Sequence, residues 1–519
     1  MKRALSLIVI LSLIFALGGC GKDSADGTPT GFDVFNPGIK QGGIVEGYIL
    51  RPDTFNPLTT KISVNRRMLS LCFDSLFYID AGFNTIPRLA ESYTISQDGK
   101  KITVNLRKNI TWHDGSDFSA GDVVYTVNKI LGNEEAYYHA VLSGLINKVS
   151  APDNSTAVFT LNYANSGAAN FLTFPILKKG EGFDEKYSPN GTGAFMVSDN
   201  SNESVISLKR NPYWQCGKVY ADGVNLNILP DEDAVYSAFS TGVIDFAQIT
   251  KDNAGKFAVS ENIGYLPTYT DKYTFVGINC NNRLLSNVEV RRAIWDAFDN
   301  TAFTKAVLSD YGVSASLPVH PSAYYYDPRE DSPSELSSEN PIRKVEGKLF
   351  LYNHQEDTMV PLEFTLLVNE ENAGRCTAAT NLASALGDAG ISVNVVKTDL
   401  QTYQSLISEG DFELYIGSTK LSPDGNIHPL VGQGGNLNYG SFYDEELENS
   451  LNSLLTSESV SKRTEFLHNI QKLFYAKMPH IPLYFENEMI VYNTEKLSNA
   501  HTILTDNIYS FVIMCCVNE

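Results

Sequence analysis

The stretch LAESYTISQDGKKITVNLRKNITWHDGSDFSAGDVVYTVNKIL, Leu89 to Leu131, changes its hydrophobic period partway along. In its first half apolar and polar residues alternate on both sides of Asp98 and Gly99, with Tyr93 and Ile95 before and Ile102, Val104 and Leu106 after. Alternation at period two marks strands with one buried face, and Asp-Gly between two such runs marks a tight hairpin turn. In its second half Val123, Val124, Val127, Ile130 and Leu131 recur at helical spacing. Ser119 and Asp122 precede that run as a capping-box-like S-x-x-D, so a helix is expected to start near Ala120 with one apolar face.

The turn between strand and helix holds His113, Asp114, Asp117 and Asp122, which are the raw materials of a hydrolase. Each carboxylate also has a local structural use. Asp114-Gly115 suits a turn, and Asp122 in the first helical turn faces the positive end of the helix dipole. Catalysis needs a nucleophile or second base to converge from elsewhere, and neighbours on a turn point apart. The chain has no G-x-S-x-G, H-E-x-x-H or P-loop motif, so the stretch reads as a structural joint and no enzyme is expected.

A chain of 519 residues, 43% hydrophobic, exceeds what one core supports, so two or more lobes are expected. Lys and Arg total 40 against 60 Asp and Glu, a formal charge of -20. That acidity repels phosphate backbones and anionic headgroups, which argues against a nucleic-acid partner.

The amino terminus, MKRALSLIVILSLIFALGGC, places Lys2 and Arg3 before an apolar run too short for a membrane span, then small residues and Cys20. It reads as an export signal. Its ending resembles the lipobox of bacterial lipoproteins, which implies acylation of Cys20 and a lipid anchor. An ordinary residue beside a cleavage site is the alternative reading of Cys20. Residues 21–42 are rich in Gly, Asp, Ser and Pro, the composition of a flexible tether. Cys72, Cys216, Cys280, Cys376, Cys515 and Cys516 show no C-x-x-C spacing, and the eight histidines lie far apart, so neither a metal site nor a cofactor is expected. Disulfide pairing stays open.

Leu89 to Leu131 resembles the signature block of the extracellular solute-binding proteins of family 5, the receptors of peptide, nickel and related ABC importers. NGTGAFMVSD (Asn190–Asp199), LKRNPYW (Leu208–Trp214), AVYSAFSTGVIDFA (Ala234–Ala247), VGINCNNRLLSNVEVRRAIWDAFD (Val276–Asp299) and MPHIPLYFENEMIVYN (Met478–Asn493) continue the likeness in order. The resemblance implies an α/β, two-lobed periplasmic-binding-protein fold of type II, cluster C, with an extra amino-proximal domain. It assigns 43–80, 186–272 and 486–519 to lobe I, 81–185 to the extra domain and 273–485 to lobe II. The residues agree: VPLEFTLLV, ATNLASALGDAG and ISVNVVKT read as a β-α-β unit stopped by Gly390, which places a parallel sheet in lobe II. The polar segment from Tyr324 to Pro341 reads as a surface excursion.

Site residues follow only by correspondence with the family. Thr54 and Phe55 stand in a turn that lies near its cleft, with plain loop packing as the alternative. Tyr138 or His139 stands near a position where relatives place an aromatic ring. Tyr137 and Tyr138, if on a helix, cannot both face inward. Phe195 reads as core. In peptide receptors a tryptophan and then an acid that holds the peptide's ammonium follow a glycine. Here Ser418 takes the tryptophan's place, Thr419, Lys420 and Leu421 the acid's, and Asp424 is the nearest carboxylate. Leu400 replaces a second tryptophan. A Lys420 facing the cleft would favour anionic or neutral solutes, and a solvated Lys420 is the other reading. Asn436, Asn438 and Tyr439 offer neutral hydrogen bonds.

The function implied is a lipid-anchored, extracytoplasmic, monomeric substrate-binding protein of an ABC importer. It would capture a peptide or peptide-sized polar solute by lobe closure and pass it to a membrane permease. A solute sensor without transport, or a receptor for a nickel chelate or other non-peptide solute, is the alternative.

Overall fold

The hairpin forms as its alternation requires. Ala90–Ile95 and Lys101–Leu106 pair antiparallel, and Gly99 turns the chain at φ +66°, a left-handed value that glycine adopts without strain. Thr156–Leu161 and Ile146–Asp153 extend the pair into a four-stranded antiparallel sheet. The helix Ala120–Leu131 packs on it through Val123, Val127 and Ile130, all fully buried. Its amino end is capped by Asp122, whose carboxylate accepts from the Ser119 N–H at 2.8 Å and the Lys179 N–H at 2.8 Å. The computed structural model describes residues 41–181, 189–199, 201–257, 262–328, 341–501 and 509–518. The expected export signal, Cys20 and most of the tether lie outside the described residues, as does most of the Tyr324–Pro341 excursion.

His113 and Asp114 are the joint the sequence suggests. The half-buried His113 ring spans the GTG turn: its Nδ1 accepts from the Gly191 N–H at 3.2 Å and its Nε2 lies 3.1 Å from the Gly193 carbonyl. Burial lowers its pKa, which keeps the ring neutral for this arrangement. Asp114 accepts from Lys178, Ser116 and Asn190, and the Lys178 ammonium holds its carboxyl far below the usual range. Asp74, 3% exposed, ties the same neighbourhood together. It accepts from Arg88 Nε at 2.9 Å, Trp214 Nε1 at 3.2 Å and Thr192 Oγ1 at 3.3 Å.

Beside this unit Ile44–Leu50 runs parallel to Gly223–Leu229, and Val205–Arg210 and Phe195–Asp199 complete a second four-stranded sheet. Phe195 is fully buried in the shared core, as expected. A three-stranded sheet places Glu488–Asn493, from the far end of the chain, between Phe246–Ile249 and Ile263–Thr268.

The largest sheet has six strands, in the order Gly312–Ser314, His480–Glu486, Lys272–Ile278, Leu414–Lys420, Glu363–Asn369, Ser392–Thr398. Its side chains sort by strand alternation. Tyr273, Phe275, Tyr415 and Phe485 enter one buried cluster, while Val276, Ile278, Ile416 and Ile481 enter another. The predicted β-α-β unit is present, with Ala373–Ala389 joining parallel strands and Gly390 ending the helix at φ +106°. Glu363–Asn369 runs parallel to both Ser392–Thr398 and Leu414–Lys420, as a parallel sheet requires, but the whole sheet is mixed, because Lys272–Ile278 lies antiparallel to both its neighbours. Strand direction depends on where a distant segment enters, and hydrophobic period carries no record of it. Ile342–Val345, Lys348–Asn353 and Thr358–Pro361 add a small antiparallel sheet that the sequence pattern does not announce.

Candidate functional site

Two short connections link the three-stranded sheet to the six-stranded one, Thr268 to Lys272 and Glu486 to Glu488. They are bonded to each other, since Thr270 Oγ1 donates to the Glu486 carbonyl at 2.5 Å and the Lys272 ammonium pairs with the Glu486 carboxylate. The candidates fall on both sides of this crossing. Thr54 and Phe55 follow the carboxyl end of Ile44–Leu50, and Ser418, Thr419 and Lys420 form the carboxyl end of Leu414–Lys420. Strand ends of this kind are where open α/β sheets receive ligands.

Asp53 builds the first turn by accepting from Thr60 Oγ1 at 2.6 Å and the Lys61 N–H at 2.8 Å. Thr54 Oγ1 then accepts from the Asn56 N–H at 3.1 Å. Thr54 and Phe55 line a small apolar crevice with Ile49, Met68, Cys72 and Leu226. Tyr137 and Tyr138 precede the helix His139–Leu145 rather than lying on it, which corrects the helical placement. Tyr138 is half-buried with its ring 6.1 Å from Phe174, whereas the exposed Tyr137 sits 3.5 Å beneath the Arg66 guanidinium. His139 Nδ1 lies 2.9 Å from the Ile130 carbonyl and closes the end of the preceding helix.

Ser418 and Thr419 are half-buried opposite Thr274 and Tyr273. Lys420 is exposed, and its ammonium stands 3.7 Å from Asp271 in the crossing. Leu400 opens the helix Leu400–Glu409 with its side chain 45% exposed. Asn436 is exposed, and Asn438 is spent on the Gly432 and Phe442 carbonyls at 2.9 and 2.8 Å. Tyr439 is half-buried with its ring edge-on to Tyr415 at 6.3 Å.

Asp424 has the most committed side chain of the set, at 3% exposure. Its Oδ1 accepts from Ser422 Oγ at 2.6 Å and the Asn426 N–H at 3.0 Å, and its Oδ2 from Asn165 Nδ2 at 3.1 Å. Arg463 Nη2 stands 3.9 Å from Oδ2 and donates to the Asp424 carbonyl. Sequence reasoning misses Arg463, although a signal exists. It shares a helical face with Leu467, Ile470 and Phe474, where an arginine inside an apolar stripe needs a buried partner. Nearby, His320 is 3% exposed among the rings of Phe83, Tyr269 and Phe485, at 4.9, 5.0 and 4.9 Å. Burial lowers its pKa to about 4.

Residues 84–438 match the model of the bacterial extracellular solute-binding proteins, family 5 Middle. The oligopeptide-binding protein AppA of Bacillus subtilis (strain 168) is 23% identical over 525 residues, with 94% of each chain covered. The glutathione-binding protein GsiB of Salmonella typhi is 23% identical over 482 residues, covering 89% of this chain and 90% of that one. Among solved structures, the unliganded open form of MppA, a periplasmic murein tripeptide binding protein, superposes with a TM-score of 0.77 at 18% identity, covering 92% of this chain and 97% of that one.

Proposed function

We propose, from the premise that this chain belongs to the bacterial extracellular solute-binding proteins of family 5, that its solute is a peptide or peptide-sized polar molecule carried without capture of a free ammonium by Asp424. The chain is an extracytoplasmic substrate-binding protein of an ABC importer, and it is not an enzyme. The observation that carries the finer reading is the burial of Asp424 among partners of the chain itself. A carboxylate at 3% exposure that already accepts from Asn165, Ser422 and the Asn426 N–H, with Arg463 beside it, offers almost no surface to a ligand cation. Lys420, paired with Asp271, is likewise engaged. Of the other candidates, the crevice at Thr54 and Phe55 is apolar, and Ser418, Thr419 and Tyr439 carry neutral hydroxyls. Such groups suit backbone amides and hydroxyls.

In this reading the solute is enclosed as lobe II moves toward lobe I, and the division into lobes is part of the proposal. The Cys20 lipid anchor and a monomeric state belong to it as well. Among the described residues no three His, Cys, Asp or Glu side chains converge as a metal site, so a chelated metal would arrive with its own donors. Native mass spectrometry of the protein from its own host tests the assignment. A co-purified organic mass that contains amide bonds is expected, and a metal without organic mass would overturn it.

A further inference from the structure

The amino-proximal unit touches the two lobes in different ways. With the Ile44–Leu50 sheet it shares one apolar core, in which Ile102, Val127 and Phe159 join Val45, Leu208 and Phe246. With the six-stranded lobe it forms a polar seam. Asn165 Nδ2 donates to Asp424 at 3.1 Å, Asn170 Nδ2 to the Pro423 carbonyl at 2.6 Å, and the Ser166 N–H to the Leu455 carbonyl at 2.9 Å. Ser166 Oγ donates to the Leu454 carbonyl at 2.9 Å and accepts from Arg463 Nη1 at 2.7 Å. Asn165, Ser166, Asp424, Ser457 and Arg463 are all buried. Gly167 fits because it lacks a Cβ, which would run into the Arg463 guanidinium.

The seam continues as a row back to the crossing. Tyr324 N–H donates to the Gly82 carbonyl at 2.8 Å, the Phe83 ring lies tilted against His320, and His320 meets Tyr269, which lies in the crossing itself. A rigid body held at two separated places keeps one freedom, rotation about the line that joins them. Lobe II is held by the crossing strands and by the far end of the seam. Parting the seam would exchange its bonds for bonds to water, at a net cost for each, whereas turning about it leaves them in place.

We propose that this row, from Tyr269 through His320 and Tyr324 to Asp424 and Arg463, is the axis of lobe closure, with the amino-proximal unit as its bearing. The inference rests on the closure reading under Proposed function. It gives the extra domain a mechanical role, since the bearing fixes the direction in which Ser418–Lys420 swing toward Thr54 and Phe55.

Hydrogen exchange on the whole mature chain, with no added solute, tests it first. The amides of Ser166 and Tyr324 should exchange within about tenfold of Val276 in the six-stranded sheet, and exchange about a thousandfold faster would mean that the seam opens and would overturn the axis. The second test uses Ser166→Cys with Ser457→Cys, whose hydroxyl oxygens stand 2.6 Å apart. X-ray scattering on adding a tryptic peptone should show the same contraction in the oxidised and reduced variant. Contraction lost only on oxidation overturns the axis alone, while its absence from the unmodified protein as well removes the closure reading beneath it.

Discussion

Asp424→Ala separates a structural carboxylate from a ligand-binding one. In the structure this carboxylate accepts from Asn165, Ser422 and the Asn426 N–H, with Arg463 3.9 Å away, and all of this lies at 3% exposure. Removing one member of a buried ion pair costs about 3–5 kcal/mol, because the surviving charge stays desolvated. Arg463 keeps its bonds to the Ser166 hydroxyl and the Leu454 carbonyl, so the lower half of that range, about 3 kcal/mol, is expected. The loss should appear in urea-induced unfolding as a lowered midpoint. Solute affinity, measured by calorimetry in native buffer with the co-purified solute, should change by less than about threefold. An acid that grips a ligand ammonium behaves in the opposite way, leaving stability nearly unchanged while affinity falls by two orders of magnitude or more. That opposite pattern would refute the reasoning.

His320 and His480, each 3% exposed, have pKa values lowered by burial to about 4 and about 3 from an ordinary 6.5. The unfolded chain therefore takes up protons near pH 6.5 that the folded chain refuses. Stability is fully present above that pH and falls below it, by about 1.4 kcal/mol per pH unit for each ring. Thermal unfolding between pH 7 and pH 4.5 checks this, and His320→Phe should flatten the slope by one ring's share. Asp74→Leu should cost about 3–5 kcal/mol in chemical unfolding, while the double variant with Arg88→Met should be markedly less destabilised because no buried charge is left alone. Cys20→Ser should move the protein from the membrane fraction to the medium, read by fractionation of the host.

The legible parts of the fold are local. Asp98-Gly99, Ser119 and Asp122 encode the hairpin and the helix start within a few residues, and the structure follows them. Gly390 stops its helix for the same reason. The direction of Lys272–Ile278 is illegible because its neighbours come from positions more than 130 residues away. The use made of Asp424 is illegible too. Its place after Pro423 is visible, but the partner that decides its role, Asn165, lies 259 residues upstream. An asparagine and a serine in a loop carry no period, so nothing in Asn165 or Ser166 announces a seam.

The strand Glu488–Asn493 fills the middle of a sheet whose edges are Phe246–Ile249 and Ile263–Thr268. A chain made from its amino end therefore presents two unpaired edges until residues 488–493 are added. A product ended before residue 488 lacks the insert and exposes both ladders to proteases or to one another.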